Sequence, residues 1–214
     1  MDYVTLRTLT WEIPRYLFCL SQAAPLPRRG EPWRIVELIN WREDDVFLWR
    51  LAKAINQDLT DYYVIATNTL YFVQRSIRYI QEKDDYWQTP VETLYLGHGD
   101  CEDTTILYVA LLAALGFPVA FGHYPGHMFA LVPVHPSWVE RRTTVFNKCL
   151  LQNKWAIFRR TFDQSLWAIA ETACDPIYWL IGAAGLGCGF VPKNTIVWMI
   201  DLAGNIFRLK LLTN

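Results

Sequence analysis

The chain has 214 residues, enough for one sizeable core and too few for two full domains. Hydrophobic residues make up 52% and aromatic residues 15%, which excludes a long disordered polymer. Twenty basic residues face twenty-one acidic ones, so the charge makes no case for nucleic acid or an anionic membrane, and neither is expected as a partner.

Residues 1 to 32 are punctuated by Pro14, Pro25, Pro27 and Pro32 and read as irregular. From Trp33 to Asn56 the pattern turns helical, with Leu48, Leu51, Ala52 and Ile55 on one face. Asp58 to Glu82 repeats the signal: Ala66, Leu70, Val73, Ile77 and Ile80 form a stripe, with Arg75 and Arg78 outside it. Lys83 to Gly99 reads as a polar, aromatic loop. Cys101 to Leu115 is apolar almost all round, as a helix buried on every side should be. Gly116 stands where a left-handed cap belongs, and Pro118 prevents continuation. Strand-like runs follow at Val119 to Tyr124, His127 to Val134, Leu166 to Thr172, Thr195 to Asp201 and Ile206 to Leu212. Leu202 to Asn205 reads as a hairpin turn between the last two.

Helices first and mostly antiparallel strands afterwards define an α+β domain, with an N-terminal extension over 1–58 packed on a core over 59–214. The N-terminus carries Asp2 and Glu12 and lacks a basic region ahead of an apolar run, so no signal peptide is expected. Ile177 to Pro192 is Gly-rich and shorter than the ~20 residues of a membrane helix. The Gly182 to Gly187 stretch lacks the lysine and spacing of a phosphate-binding loop. The five cysteines show no C-x-x-C pair, which points to a reduced, cytoplasmic setting without zinc.

Chemistry concentrates at Gly99-Asp100-Cys101-Glu102-Asp103. A cysteine one residue into a helix meets the positive end of the dipole and free backbone N–H groups, which favour the nucleophilic thiolate. The same groups can hold an oxyanion. Asp100, with Asp103 three residues on, can cap the helix start. Against reactivity, the acidic neighbours raise a thiol pKa, and a small buried cysteine at a capped helix start explains the same pattern. The residues alone leave both readings open.

Pro90-Val91-Glu92-Thr93-Leu94, Gly97-His98-Gly99-Asp100-Cys101-Glu102-Asp103-Thr104-Thr105 and Ala113 to Val119 together resemble the transglutaminase-like superfamily of papain-type cysteine enzymes. The similarity is closest to its short prokaryotic and viral members, among them the bacterial transglutaminase-like cysteine proteinases, and it spans roughly residues 60 to 182. It implies N-terminal helices and a central buried nucleophile helix packed on a mostly antiparallel sheet, with Cys101 as nucleophile. The family histidine begins a strand after a Pro-Gly-like turn, which Pro125-Gly126-His127 matches, so His127 is the implied base. His123 reads as a lining residue, His98 as a turn histidine near substrate, and His135 as surface. The third residue is an acid late on the next strand. Glu171 before Thr172 takes that place where many members have Asp, and Asp175 is the alternative. Trp87 and Gln88 are cleft-lining candidates. Some family proteinases use the acidic positions for calcium, so Asp100, Glu102 and Asp103 are a possible calcium set, otherwise capping and ion-pairing groups.

The implied activity is hydrolysis of an amide in a polypeptide substrate through a thioester, without a required cofactor. Transfer of the acyl group from a glutamine side chain to an amine proceeds identically up to that thioester. A non-catalytic module keeping the fold inside a phage particle, hence virion-associated, is a reading of a different class.

Overall fold

The computed structural model describes residues 32–39, 45–81, 86–137, 157–173 and 195–212. Among the described residues, a 3-10 helix (Pro32–Leu38) precedes four α-helices: α1 (Asp45–Asn56), α2 (Tyr62–Ser76), α3 (Pro90–Leu96) and α4 (Cys101–Ala114). Two short strands, β1 (Arg78–Tyr79) and β2 (His98–Gly99), pair in parallel and tie the end of α2 to the approach to α4. Six antiparallel strands follow: β3 (Ala120–Tyr124), β4 (His127–Val134), β5 (Ile157–Arg160), β6 (Leu166–Ala170), β7 (Val197–Ile200) and β8 (Ile206–Leu212). They close into a barrel in the order β3-β4-β6-β5-β8-β7.

Helix α4 is the hub. Every residue from Ile106 to Leu112 is buried, because α1, α2, α3 and β4 all pack on it. That enclosure explains its continuous apolar sequence. The helix ends as Gly116 adopts φ 77°, a left-handed conformation that costs glycine little. Tyr108 carries its hydroxyl into this core and donates to the Ala66 carbonyl (3.1 Å), so the buried oxygen is satisfied.

Two expectations change. Helix α2 stops at Ser76, and Arg78 and Tyr79 turn away to pair with β2, so Ile80 is 37% exposed and outside the apolar stripe. The segment expected as a loop contains α3, started by a capping box in which Thr89 and Glu92 each satisfy the other's backbone N–H. Residues 138–156 and 174–194, including Asp175 and the glycine-rich stretch, lie outside the described residues.

Alternation along the barrel strands divides two cores. One set, including Met128, Ala130, Val132, Ala168 and Ala170, joins the helices in a single hydrophobic cluster. The other, including Tyr124, Phe129, Leu131, Phe158, Trp167 and Ile169, fills the barrel. Gly122 faces Phe129 across β3 and β4, and a Cβ there would lie 2.2 Å from the Phe129 ring. That ring is fully buried and stacks on Phe158 (centroids 5.8 Å apart), so it has little room to yield. Gly122→Ala is therefore expected to destabilise the fold by about 1–3 kcal/mol through overpacking. Urea denaturation checks this: the midpoint falls while the slope stays at the parental value.

Candidate active site

The site is assembled where the N-terminus of α4 meets the rim of the barrel. Gly97 ends α3 at φ 68°, β2 carries the chain past β1, and Asp100 caps α4 so that Cys101 is its first residue. Asp100 Oδ1 accepts from the Glu102 N–H (3.1 Å). Asp103 Oδ2 accepts from the Asp100 N–H (3.1 Å), and its Oδ1 accepts from the Gln88 N–H (2.8 Å). Asp103 is wholly buried and joins the segment before α3 to the cap of α4. Gly99 is required by close approach: a Cβ would lie 2.6 Å from the Asp103 Cβ.

The β3–β4 hairpin turns through Pro125 and Gly126 (φ 86°) and places His127 opposite Tyr124. His127 Nε2 lies 2.9 Å from Glu171 Oε2, and Glu171 is fully buried just beyond β6. The other Glu171 oxygen accepts from the Ala173 N–H (3.3 Å). Gln74 on α2 donates to the Glu171 carbonyl (2.7 Å). The Thr172 hydroxyl lies 3.0 Å from that of Thr104 and 2.9 Å from that of Thr105, both on α4. The acid that holds the imidazole is thus anchored to the helix that carries the cysteine. The rings of Tyr124 and Phe129 lie 5.5 and 5.9 Å from the imidazole.

Cys101 is buried, and its thiol donates to Glu102 Oε2 (2.8 Å). Burial pushes the thiol pKa up, and the Glu102 charge and hydrogen bond add to this, while the Met128 backbone N–H, adjoining His127, opposes it. Burial also raises Asp100, with Glu102 contributing. Burial favours protonated Glu102 too, but the hydrogen bonds from Asp100 and the thiol hold its pKa below the ordinary value. The two carboxyls are thus shifted in opposite directions, with Glu102, beside the sulfur, the more readily ionised. Glu171 is raised by burial against the opposing pull of His127. His123 is lowered by burial, partly offset by Glu102.

Each sequence candidate within the described residues has a definite place, and Asp175 lies outside them. His127 and Glu171 are in direct contact, and Cys101 is the first residue of α4. Trp87 is buried with the helix core, Gln88 is buried against Asp103, and half-buried His98 forms β2. Of the acidic set, Asp100 and Glu102 converge with Cys101, their donor atoms all within 4.8 Å of one another. Asp103 has both oxygens engaged by backbone. Sequence reasoning missed Tyr124 and Gln74. Tyr124 has a pKa pushed up to about 12 by burial, then by the Glu171 and Cys101 charges. Its position directly before the Pro-Gly turn was an available signal, because it makes Tyr124 the cross-strand partner of His127. Gln74 had a weaker one, as a polar residue beside the apolar stripe of α2.

The transglutaminase-like superfamily model matches residues 50–158, half of the chain, and the chain belongs to that superfamily. Among solved structures, the chain is similar to Legionella pneumophila LapG. The identity is 17%, covering 89% of this chain and 83% of LapG, with a TM-score of 0.32. No curated protein matches. Among the described residues, no helix is long and apolar enough to cross a membrane.

The electrostatics set a sign that can be checked. Because the Glu102 charge and hydrogen bond both raise the Cys101 pKa, Glu102→Gln is expected to shift the half-labelling pH of Cys101 downward. Peptide-mapped iodoacetamide rates across pH provide the readout, and an upward shift contradicts the assignment.

Proposed function

We propose that the chain is a cysteine-dependent amide hydrolase acting on a polypeptide, with Cys101 as nucleophile, His127 as base and Glu171 orienting the imidazole. The observation that carries this reading is the 2.9 Å contact between His127 and a fully buried Glu171, whose neighbour Thr172 bonds the helix that begins at Cys101. With Nε2 engaged by Glu171, Nδ1 is the imidazole nitrogen assigned to the sulfur.

The reaction begins when the Cys101 thiol, hydrogen-bonded to Glu102 at rest, gives its proton to His127, and the resulting imidazolium stabilises the thiolate. The sulfur adds to the scissile carbonyl, and the oxygen becomes an oxyanion held by the backbone N–H at the start of α4. Collapse breaks the C–N bond as His127 gives its proton to the leaving amine, and a thioester remains. Water, deprotonated by His127, attacks that thioester. Cleavage releases the acid, and the proton returns to the sulfur. An amine in place of water would give acyl transfer through the same thioester.

Calcium is a secondary part of the proposal. Asp100 and Glu102 supply hard oxygen donors, and bound calcium would neutralise charge beside the thiol. Asp103, committed to two backbone N–H groups, remains a capping residue.

The test is the pH dependence of Cys101 alkylation in wild type and His127→Ala, followed by hydrolysis of a labelled casein substrate. Because burial and Glu102 raise the resting thiol, alkylation of the free wild-type protein is expected to rise only above the ordinary thiol pKa of about 8.5, and hydrolysis reports the His127-dependent chemistry. His127→Ala is expected to lose about 10²–10⁴-fold of the hydrolysis rate. Product release that needs an added amine would replace hydrolysis with transfer. Casein turnover by wild type no faster than by His127→Ala would replace both with a binding module.

A further inference from the structure

We propose that the outer face of β7 and β8 is an exosite that holds an acidic, aromatic-containing segment of the polypeptide substrate, several residues away from the scissile amide. The proposal rests on the hydrolase reading for the word substrate, and on the strand register for everything else.

One cross-strand row leads out of the site. Met128, the residue after His127, faces His123 on β3, His123 faces Trp198 on β7, and Trp198 faces Arg208 on β8. Residues directly opposite one another point to the same side of a sheet, so the four side chains share one face. Exposure rises along the row. Met128 is buried and His123 half-buried, whereas Trp198 is 40% exposed and Arg208 is open to solvent. A second row lies beside it. Ile196, two residues from Trp198, is 44% exposed, while Lys210, two residues from Arg208, faces Arg159, and both cations are exposed.

The surface is therefore an indole and an isoleucine flanked by three cations, although the whole chain carries a net charge of −1. Among the described residues, no carboxylate pairs with Arg159, Arg208 or Lys210. Two large apolar side chains left in water beside unneutralised cations fit a ligand with acidic groups around an aromatic or bulky apolar residue. Contact with the indole supplies more of the affinity than any one exposed ion pair, and the charges supply selection. Neighbouring strands are about 4.8 Å apart, so Trp198 lies roughly 10 Å and Arg208 roughly 14 Å from Met128. An extended substrate covers those distances in about three to four residues, so one peptide can occupy the catalytic rim and this face together.

The experiment uses the full chain carrying Cys101→Ala, so that binding is read without turnover. Fluorescence anisotropy compares a short labelled peptide of Glu residues around a central Phe with its counterpart in which Lys replaces every Glu. The acidic peptide is expected to bind at least about tenfold more tightly, with affinity falling as salt rises. Arg208→Glu with Lys210→Glu should remove that preference, and Trp198→Ala should weaken the acidic peptide by about tenfold. In the parental Cys101 background, these variants should keep the wild-type alkylation rate, which shows that the rim is intact. Equal affinity for both peptides, or a preference that survives the double charge reversal, overturns the exosite. So does displacement of the acidic peptide by a single-stranded oligonucleotide, which would make this a nucleic-acid surface. Selective binding without His127-dependent casein hydrolysis keeps the surface and removes the chemistry. Hydrolysis without selective binding does the reverse.

Discussion

Asp103 is fully buried, and its two oxygens accept backbone N–H groups from Asp100 at the helix cap and from Gln88 ahead of α3. A buried carboxylate is tolerated only when its acceptors are satisfied, so these two contacts have to form together. When they form, the angle at which the chain enters α4 is settled, and with it the position of Cys101. The close approach of Gly99 to Asp103 belongs to the same constraint, since any side chain there would push the carboxylate off its donors. The Thr104, Thr105 and Thr172 hydroxyls extend it across to the barrel, where Glu171 and His127 wait. Cysteine and histidine come from different halves of the fold, and this polar seam sets how the halves meet.

Electrostatics at the sulfur are a contest between unequal effects. A helix N-terminus is worth about 0.3–1 kcal/mol to an adjacent anion and up to ~2 in partly buried geometry. Taking a charge out of water costs several kcal/mol. The dipole and the Met128 N–H therefore cannot hold a buried thiolate next to Glu102 unaided, and the resting sulfur is a thiol donating to that carboxylate. What changes the balance is a positive charge on His127, which Glu171 is placed to stabilise. The Cys101 proton thus has two competing acceptors, Glu102 in the resting arrangement and His127 in the proposed reaction. Reactivity depends on which of them the substrate-bound site favours.

Much of this was legible in the chain. The apolar run of α4 announced a helix enclosed on all sides, and Asp100, Asp103 and Gly116 marked its two ends. Five of the six barrel strands stood out as runs of β-forming residues. Ile157 to Arg160 did not, because four residues, half of them arginine, carry no alternation that a window can detect. Closure of the barrel was invisible for a related reason: β5 with β8 and β3 with β7 are pairings between segments far apart in sequence, and no local signal specifies them. Helix α3 was missed although Thr89-Pro90-Val91-Glu92 spells a capping box with proline at its first position. Its short length and aromatic flanks outweighed the cap. Cys101, His127 and Glu171 were singled out through family resemblance. Gln74 acts through a hydrogen bond to the Glu171 backbone and Tyr124 through a ring contact with His127, and neither belongs to the motifs that carry the resemblance.

The hairpin register decides whether the rim holds an imidazole or a thioether. His127, Phe129 and Leu131 share one side of β4, while Met128, Ala130 and Val132 share the other. A one-residue slip would exchange His127 for Met128 at the position facing Glu171. On most strands an apolar face and a polar face prevent such slips, but β4 is buried on both sides and its sequence gives little preference. Register must come from elsewhere, and two glycines supply it. Gly126 at φ 86° defines the turn, and Gly122 is the residue on β3 that leaves room for the Phe129 ring. Shifted by one, that ring would face His123 or Phe121 and have no space. The packing glycine of the barrel therefore also specifies the active site, since the contact that excludes a wrong register is the one that points His127 at Glu171.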